Sequence, residues 1–432
     1  MPSRRSKGGL LARVNFPLYT VQMVTNRHIL VGGGGGSSKT GVANGFEIFE
    51  LSHNGTHFVA EEVTRHETGP SVVMNCASHR SDNKTWIVAG QESHCQLYNA
   101  KFKLITLENG ELIKTPTVHK NDLRHRKNSE KVEESQSQKE KIEEIKDNNS
   151  SVKSKKLHLI LEPAGSVQTT FGDGEPLQRV VRVNIQGKSI ATGGTDGTVR
   201  LWKFPLLDKL YDLGTHGKEI DDIDFSPNDN LLVSIAKDGK AFVWNIESRE
   251  SRELSWEPPD NIKYMYKRCR FRKLIEDEKK NDLFMLTNAV AVKNPSFLQL
   301  WDTNTGVITK SAPYKEALSA LAVSNDGKFV AVGTMFSGSV DIFVAFSLRK
   351  ALHVPGAHSM FVTGLEFLPT NSQLNGVAIT NNTETAVVSI SVDNRICIHS
   401  IPFRHTLPFW FVIMLIILWM CGAFIFCSYL GI

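Results

Sequence analysis

Gly32–Gly36 is a run of five consecutive glycines, followed by Ser37, Ser38, Lys39, Thr40 and Gly41. Glycine contributes no side-chain packing and loses the most conformational freedom on folding. A tight turn needs one or two. The run therefore points to close backbone approach, positive φ, or both. Three chemistries compete for it. A phosphate-binding loop needs glycine directly before the lysine and a helix after it. Here Ser38 precedes Lys39, and Asn44–Leu51 reads as a strand. A plain flexible turn is the second. The third is a loop whose carbonyls wrap a cation while its tip engages a partner, since permissive glycines let several carbonyls converge on a monovalent ion.

A second constellation is His216, Ser234, Asp238 and Trp244. Histidine, serine and aspartate invite a catalytic reading. The same four residue types form the structural hydrogen-bond set of WD repeats, and the spacing fits that set better. No CxxC pair, zinc-spaced Cys/His cluster or carboxylate pair stands out. The six cysteines are scattered, as in a reducing compartment.

The elements that position these residues repeat. Ser189–Phe204, Leu231–Ile246, Phe329–Val344 and Ala386–Ile401 each read strand, short polar turn, strand. Phe284–Thr303 is a copy with a longer turn; Thr85–Ala100 and Ile29–Leu51 are weaker copies, the last with the glycine run as its turn. Trp202 and Trp244, and Trp301 and Phe343, recur at the period of about 40–45 residues of WD blades. Asp196–Gly197 and Asp238–Gly239 are hairpin turn pairs. Seven copies predict an all-β chain, a seven-bladed WD-type β-propeller over 10–401. The last copy lacks a fourth strand, which Leu10–Asn15 is free to supply.

The chain has 432 residues, 22% charged and 41% hydrophobic, with a net charge of +5. That mild basicity does not demand nucleic acid, and no recognition helix or finger is visible. Residues 1–9 form a basic tail with Arg4, Arg5 and Lys7, too short of apolar residues for a signal peptide. Residues 118–156 are charged and polar, and read as a disordered insertion in the second blade, with strand character resuming at Leu157. After a linker at 402–406, Leu407–Cys427 carries no charge and spans about 30 Å as a helix. It predicts one transmembrane helix, with a luminal stub at 428–432. Arg404 and His405 on its N-terminal side leave the propeller cytosolic by the positive-inside rule, and insertion is expected after translation ends.

The stretch Ile29–Leu51, the opening FPLYTVQMV and the closing FRHTLPFWFV resemble one family over nearly the whole chain. It is the endoplasmic-reticulum exchange factor for the small GTPase of the COPII coat, whose animal member is also called prolactin regulatory element-binding protein. The resemblance implies catalysed loss of GDP from that GTPase, on the cytosolic face of the endoplasmic reticulum. This chain would bind no nucleotide itself. Partners would be the GTPase, the membrane and other exit-site proteins. The resemblance also implies that Gly32, Gly33, Gly34, Gly35, Gly36, Ser37 and Ser38 bind potassium through backbone carbonyls. Lys39, Thr40, Gly41, Val42 and Asn44 would contact the GTPase. Two other readings are a membrane-anchored scaffold without exchange activity and a DNA-binding transcriptional regulator.

Overall fold

The computed structural model describes residues 9–37, 41–81, 84–108, 111–112, 153–172, 174–258, 262–274, 281–369, 379, 383–403 and 409–431. In chain order come β1 (Gly9–Arg13), then β2 (Leu18–Met23), β3 (His28–Gly33), β4 (Gly45–His53) and β5 (Phe58–Glu67), which form blade 1. Blade 2 has β6 (Val73–Ser81), β7 (Lys84–Gln91), β8 (His94–Glu108), the short β9 (Glu111–Leu112) and β10 (Lys153–Gln168). Blade 3 is β11 (Gln178–Val183), β12 (Ser189–Gly194), β13 (Thr198–Lys203) and β14 (Asp208–Thr215). Blade 4 is β15 (Ile220–Phe225), β16 (Leu231–Ala236), β17 (Ala241–Asn245) and β18 (Ser251–Glu253). Blade 5 is β19 (Tyr264–Arg272), β20 (Asp282–Ala289), β21 (Ser296–Asp302) and β22 (Val307–Tyr314). Blade 6 is β23 (Leu318–Val323), β24 (Phe329–Thr334), β25 (Val340–Val344) and β26 (Arg349–Val354). Blade 7 is β27 (Val362–Phe367), β28 (Thr383–Ser391) and β29 (Arg395–Pro402), with β1 as its fourth strand.

This is the seven-bladed propeller that the repeats predict. Gly9 pairs with Ile398 and Arg13 with Arg395, so the N-terminal strand closes the ring and covers the edge of β29. The core lies between blades. One cluster joins Val14, Phe16 and Val21 to Ile390, Ile396 and Ile398, which ties blade 1 to blade 7.

Every first strand carries a bulge at the same place. The register shifts between Leu18/Thr20, Val73/Asn75, Gln178/Val180, Ile220/Asp222, Tyr266/Arg268, Leu318/Ala320 and Val362/Gly364. A bulge strengthens local twist and turns one extra side chain out of the ladder. The seven first strands line a central cavity of about 180 Å³.

Each blade is an antiparallel meander, so its turns fall on two faces. Second-to-third turns and blade-to-blade connections share one face, here the loop face. First-to-second and third-to-fourth turns share the other, the anchor face.

Two boundaries differ from the sequence reading. β10 starts at Lys153 instead of Leu157, because a ladder needs only backbone groups and charged residues do not forbid it. The helix α1 runs Phe409–Leu430, with an apolar stretch at Phe409–Cys427, so it extends past the expected end, while residues 407–408 of the expected span lie outside the described residues. Lys101–Ile160 forms a separate unit holding the far part of β8, β9 and the start of β10; Leu107 pairs with Leu112 in it. The expected disorder of the insertion, 113–152 above all, lies outside the described residues.

Candidate functional site

The glycine segment lies on the loop face. It joins β3 to β4 over Gly34–Asn44, where the same turn of blade 4 spans only Lys237–Lys240. The five glycines do different work. Gly32 and Gly33 are strand residues, paired with Phe46 and Gly45 on one side and with Thr20 and Leu18 on the other. The expectation that the whole run is loop is therefore corrected. Close packing is the physical reason: a Cβ on Gly33 would lie 1.9 Å from the Pro17 carbonyl oxygen. Gly34 and Gly36 have φ of +142° and +78°, a region that side chains rarely adopt.

Asn44 holds the loop in shape. It is 5% exposed. Its Oδ1 accepts from the Gly36 N–H at 2.8 Å, and its Nδ2 donates to the carbonyls of Gly36 at 3.1 Å and Gly69 at 3.0 Å. A Cβ on Gly34 would lie 2.0 Å from the Asn44 Oδ1. Asn44 thus clamps the loop from within, and its side chain is not at the contact surface where the sequence reading put it. The cause is the partner at Gly69, remote in sequence. Val42 is half-buried against the cluster that joins blades 1 and 7. Gly41 takes φ +76° at an open position. Ser38, Lys39 and Thr40 lie outside the described residues.

From Gly32 to Gly45 there is no carboxylate. Neutral oxygens suit a monovalent cation better than a divalent one, which prefers carboxylates. The Asn44 Oδ1 is occupied by Gly36, and the Gly32 and Gly33 backbones are in the sheet. Backbone carbonyls of the 34–37 turn are the oxygens that this stretch offers to such an ion, the one on Gly36 also accepting from Asn44 Nδ2.

The loop does not stand alone. The Gly34 N–H donates to Pro17, the Thr363 hydroxyl to the Leu18 carbonyl, and the Ser391 hydroxyl to the Phe361 carbonyl. The turn at Gly338 lies against the backbone of His358 and Met360. This path connects the loop to exposed Met360 and Phe361 and then to Phe336. The three apolar residues escaped the sequence reading. Their only signal is large apolar side chains at turns, where burial has no reason to place them.

His216, Ser234, Asp238 and Trp244 come together as the sequence predicts. The Trp244 Nε1–H donates to Ser234 Oγ at 2.8 Å, and His216 Nε2 lies 2.8 Å from the same oxygen. Asp238 Oδ2 accepts from the Gly217 N–H and stands 3.4 Å from His216 Nδ1, an electrostatic contact without good hydrogen-bond geometry. Burial lowers the His216 pKa, against the pull of Asp238. The serine is fully buried, with no route for a substrate. Blade 7 repeats the set with one replacement: Ser389 Oγ lies 2.8 Å from both His358 Nε2 and His399 Nε2. His399 stands where blade 4 has tryptophan. Among the described residues no group of His, Cys, Asp and Glu is arranged to hold a metal ion.

Closed blades, WD hydrogen-bond sets and one long apolar helix define a WD-repeat propeller followed by an apolar helix. The family model "WD domain, G-beta repeat" matches residues 167–203 and 207–245, blades 3 and 4. The chain is 32% identical to the guanine nucleotide-exchange factor SEC12 of mouse over 95% of both chains, and equally to that of rat. SEC12-like protein 1 of Arabidopsis thaliana is 28% identical over 45% of this chain and 47% of its own. The chain belongs to the SEC12 family of guanine nucleotide-exchange factors.

Proposed function

We propose that this protein promotes GDP release from the small GTPase of the COPII coat, anchored by α1 in the endoplasmic-reticulum membrane with its propeller in the cytosol. The observation that carries the reading is the likeness to SEC12 along 95% of both chains. The long, internally clamped glycine loop on the loop face gives it a physical site.

The mechanism needs no covalent step. A small GTPase holds its nucleotide through its phosphate loop, magnesium and ordered switches. A surface that binds the nucleotide-free form more tightly weakens nucleotide affinity by the same factor. The loop tip, Lys39 to Val42, contacts the GTPase, and Phe336, Met360 and Phe361 extend the apolar footprint. Asn44 and the φ-positive Gly34 and Gly36 fix the base of the loop, so less ordering cost falls on binding. Potassium would be held by backbone carbonyls of the 34–37 turn.

Binding of the full chain in detergent to the GTPase tests this directly. Nucleotide-free GTPase should bind more tightly than the GDP-loaded form, and sodium in place of potassium should weaken binding. Equal affinity for the two GTPase states would remove exchange activity and leave a scaffold.

A further inference from the structure

Both ends of blade 7 exit the propeller at one face. β29 is a third strand, so Pro402 lies on the anchor face, opposite the glycine loop. Its neighbour β1 starts on the same face, with Gly9 beside Ile398. Only residues 403–408 separate β29 from α1. Six residues reach at most about 20 Å when fully extended. A helix that crosses a bilayer therefore keeps this face close to the headgroups.

The anchor face is suited to that position. Leu206 and Phe346, in third-to-fourth turns of blades 3 and 6, are each 62% exposed, and Phe403 is 51% exposed. Beside Phe346, the Lys310 ammonium donates to the Phe346 carbonyl and lies 5.9 Å over its ring, and Arg349 is exposed. In blade 4, Arg249 stacks 4.2 Å over Tyr211. Glu247 and Glu250 flank Arg249, so charge contrast is strongest at the blade 6 corner, next to blade 7. Aromatic rings with basic neighbours are the composition of a surface that meets an anionic interface.

We infer that the anchor face docks on the anionic headgroup surface of the membrane that holds α1, through Phe346, Lys310, Arg349 and Leu206, and so turns the glycine loop away from the bilayer. This rests on the proposal that α1 is a membrane anchor. Docking fixes how the propeller presents its loop face, which a six-residue tether alone does not.

The test uses the full chain reconstituted in vesicles, with the photo-crosslinker p-benzoylphenylalanine at one site each time: Leu206, Phe346, or Val292 on the loop face. All three sites are exposed, so the substitutions spare the fold. Lipid adducts are expected at 206 and 346 and not above background at 292. Adduct yield at 346 should rise from zwitterionic vesicles to phosphatidylserine-containing ones. Lys310→Glu with Arg349→Glu should lower it on the order of fivefold per charge removed. Equal adducts at 292 and 346, or none at 206 and 346, in chains that resist alkaline extraction would overturn the docking and leave the anchor intact. An unchanged yield in the charge variant would overturn the anionic partner. Release of the chain by alkali would remove the anchor reading itself.

Discussion

At the scale of single residues, Asn44 fixes the base of the glycine loop at Gly36. Three hydrogen bonds converge on one buried amide, and two of them close a ring with the backbone of Gly36. Truncation removes these partners from the half-buried backbone of Gly36 and the exposed carbonyl of Gly69, where water can replace them in part, so each lost bond costs about 0.5–1.5 kcal/mol. Asn44→Ala should speed hydrogen exchange at Gly36 and leave exchange in the blade 4 strands unchanged; unchanged protection at Gly36 would remove the clamp. The five glycines were legible in the sequence, but not their division of labour. Glycine carries no periodicity, so nothing local separates Gly33, packed against Pro17, from Gly36 in open space. Val42 was legible as a branched apolar residue near the tip. Its lean onto the blade 1–blade 7 cluster depends on Leu18, Ile390 and neighbours brought in by ring closure. Val42→Asp therefore threatens fold as well as contact, and is a poor probe of function.

At the scale of elements, the second and third strands of each blade were legible because their buried residues alternate around a turn pair. The fourth strands β5, β14, β18, β22 and β26 were not, because at the outer edge much of each strand meets water and apolar alternation fades. The closing strand was legible by elimination, from a seventh blade one strand short. Blade 7 carries its own sensitivity. Burial, and to a lesser degree His358, lowers the His399 pKa to about 3. In the unfolded chain His399 titrates near its ordinary 6.5. Between these values the unfolded state binds the extra proton, so folding stability falls as pH drops from 6.5 toward 3 and is fully present above 6.5. Buried His216 and His358 shift the same way. Denaturant unfolding of His399→Phe across pH 4–7 should therefore show a shallower acid loss than wild type. A parallel slope would mean that His399 gains a proton within the fold.

At the scale of the whole molecule, the ring has two faces, and the connection from β29 to α1 leaves from the anchor face. Asn54 reports on sidedness. It lies in an exposed turn with Thr56 two residues on, the acceptor pattern for N-glycosylation. With the propeller in the cytosol it stays unmodified, so glycosidase treatment of the chain from cells should cause no mobility shift; a shift lost on Asn54→Gln would place the propeller in the lumen. The central claim is that the glycine loop on the loop face opens the nucleotide site of a GTPase. The most direct measurement is release of labelled GDP from the COPII small GTPase by the full chain, by Gly34→Val and by Met360→Asp, with thermal unfolding of each. Gly34→Val drives a side chain into Asn44 at a φ that only glycine takes easily, and Met360→Asp puts a charge on an exposed apolar position. The account predicts fast release with wild type, and release slowed on the order of tenfold or more by each substitution, as for a well-placed interface residue worth about 1.4 kcal/mol or more, with propeller unfolding little changed. Release at the wild-type rate with both variants, or at the spontaneous rate with wild type, would contradict it.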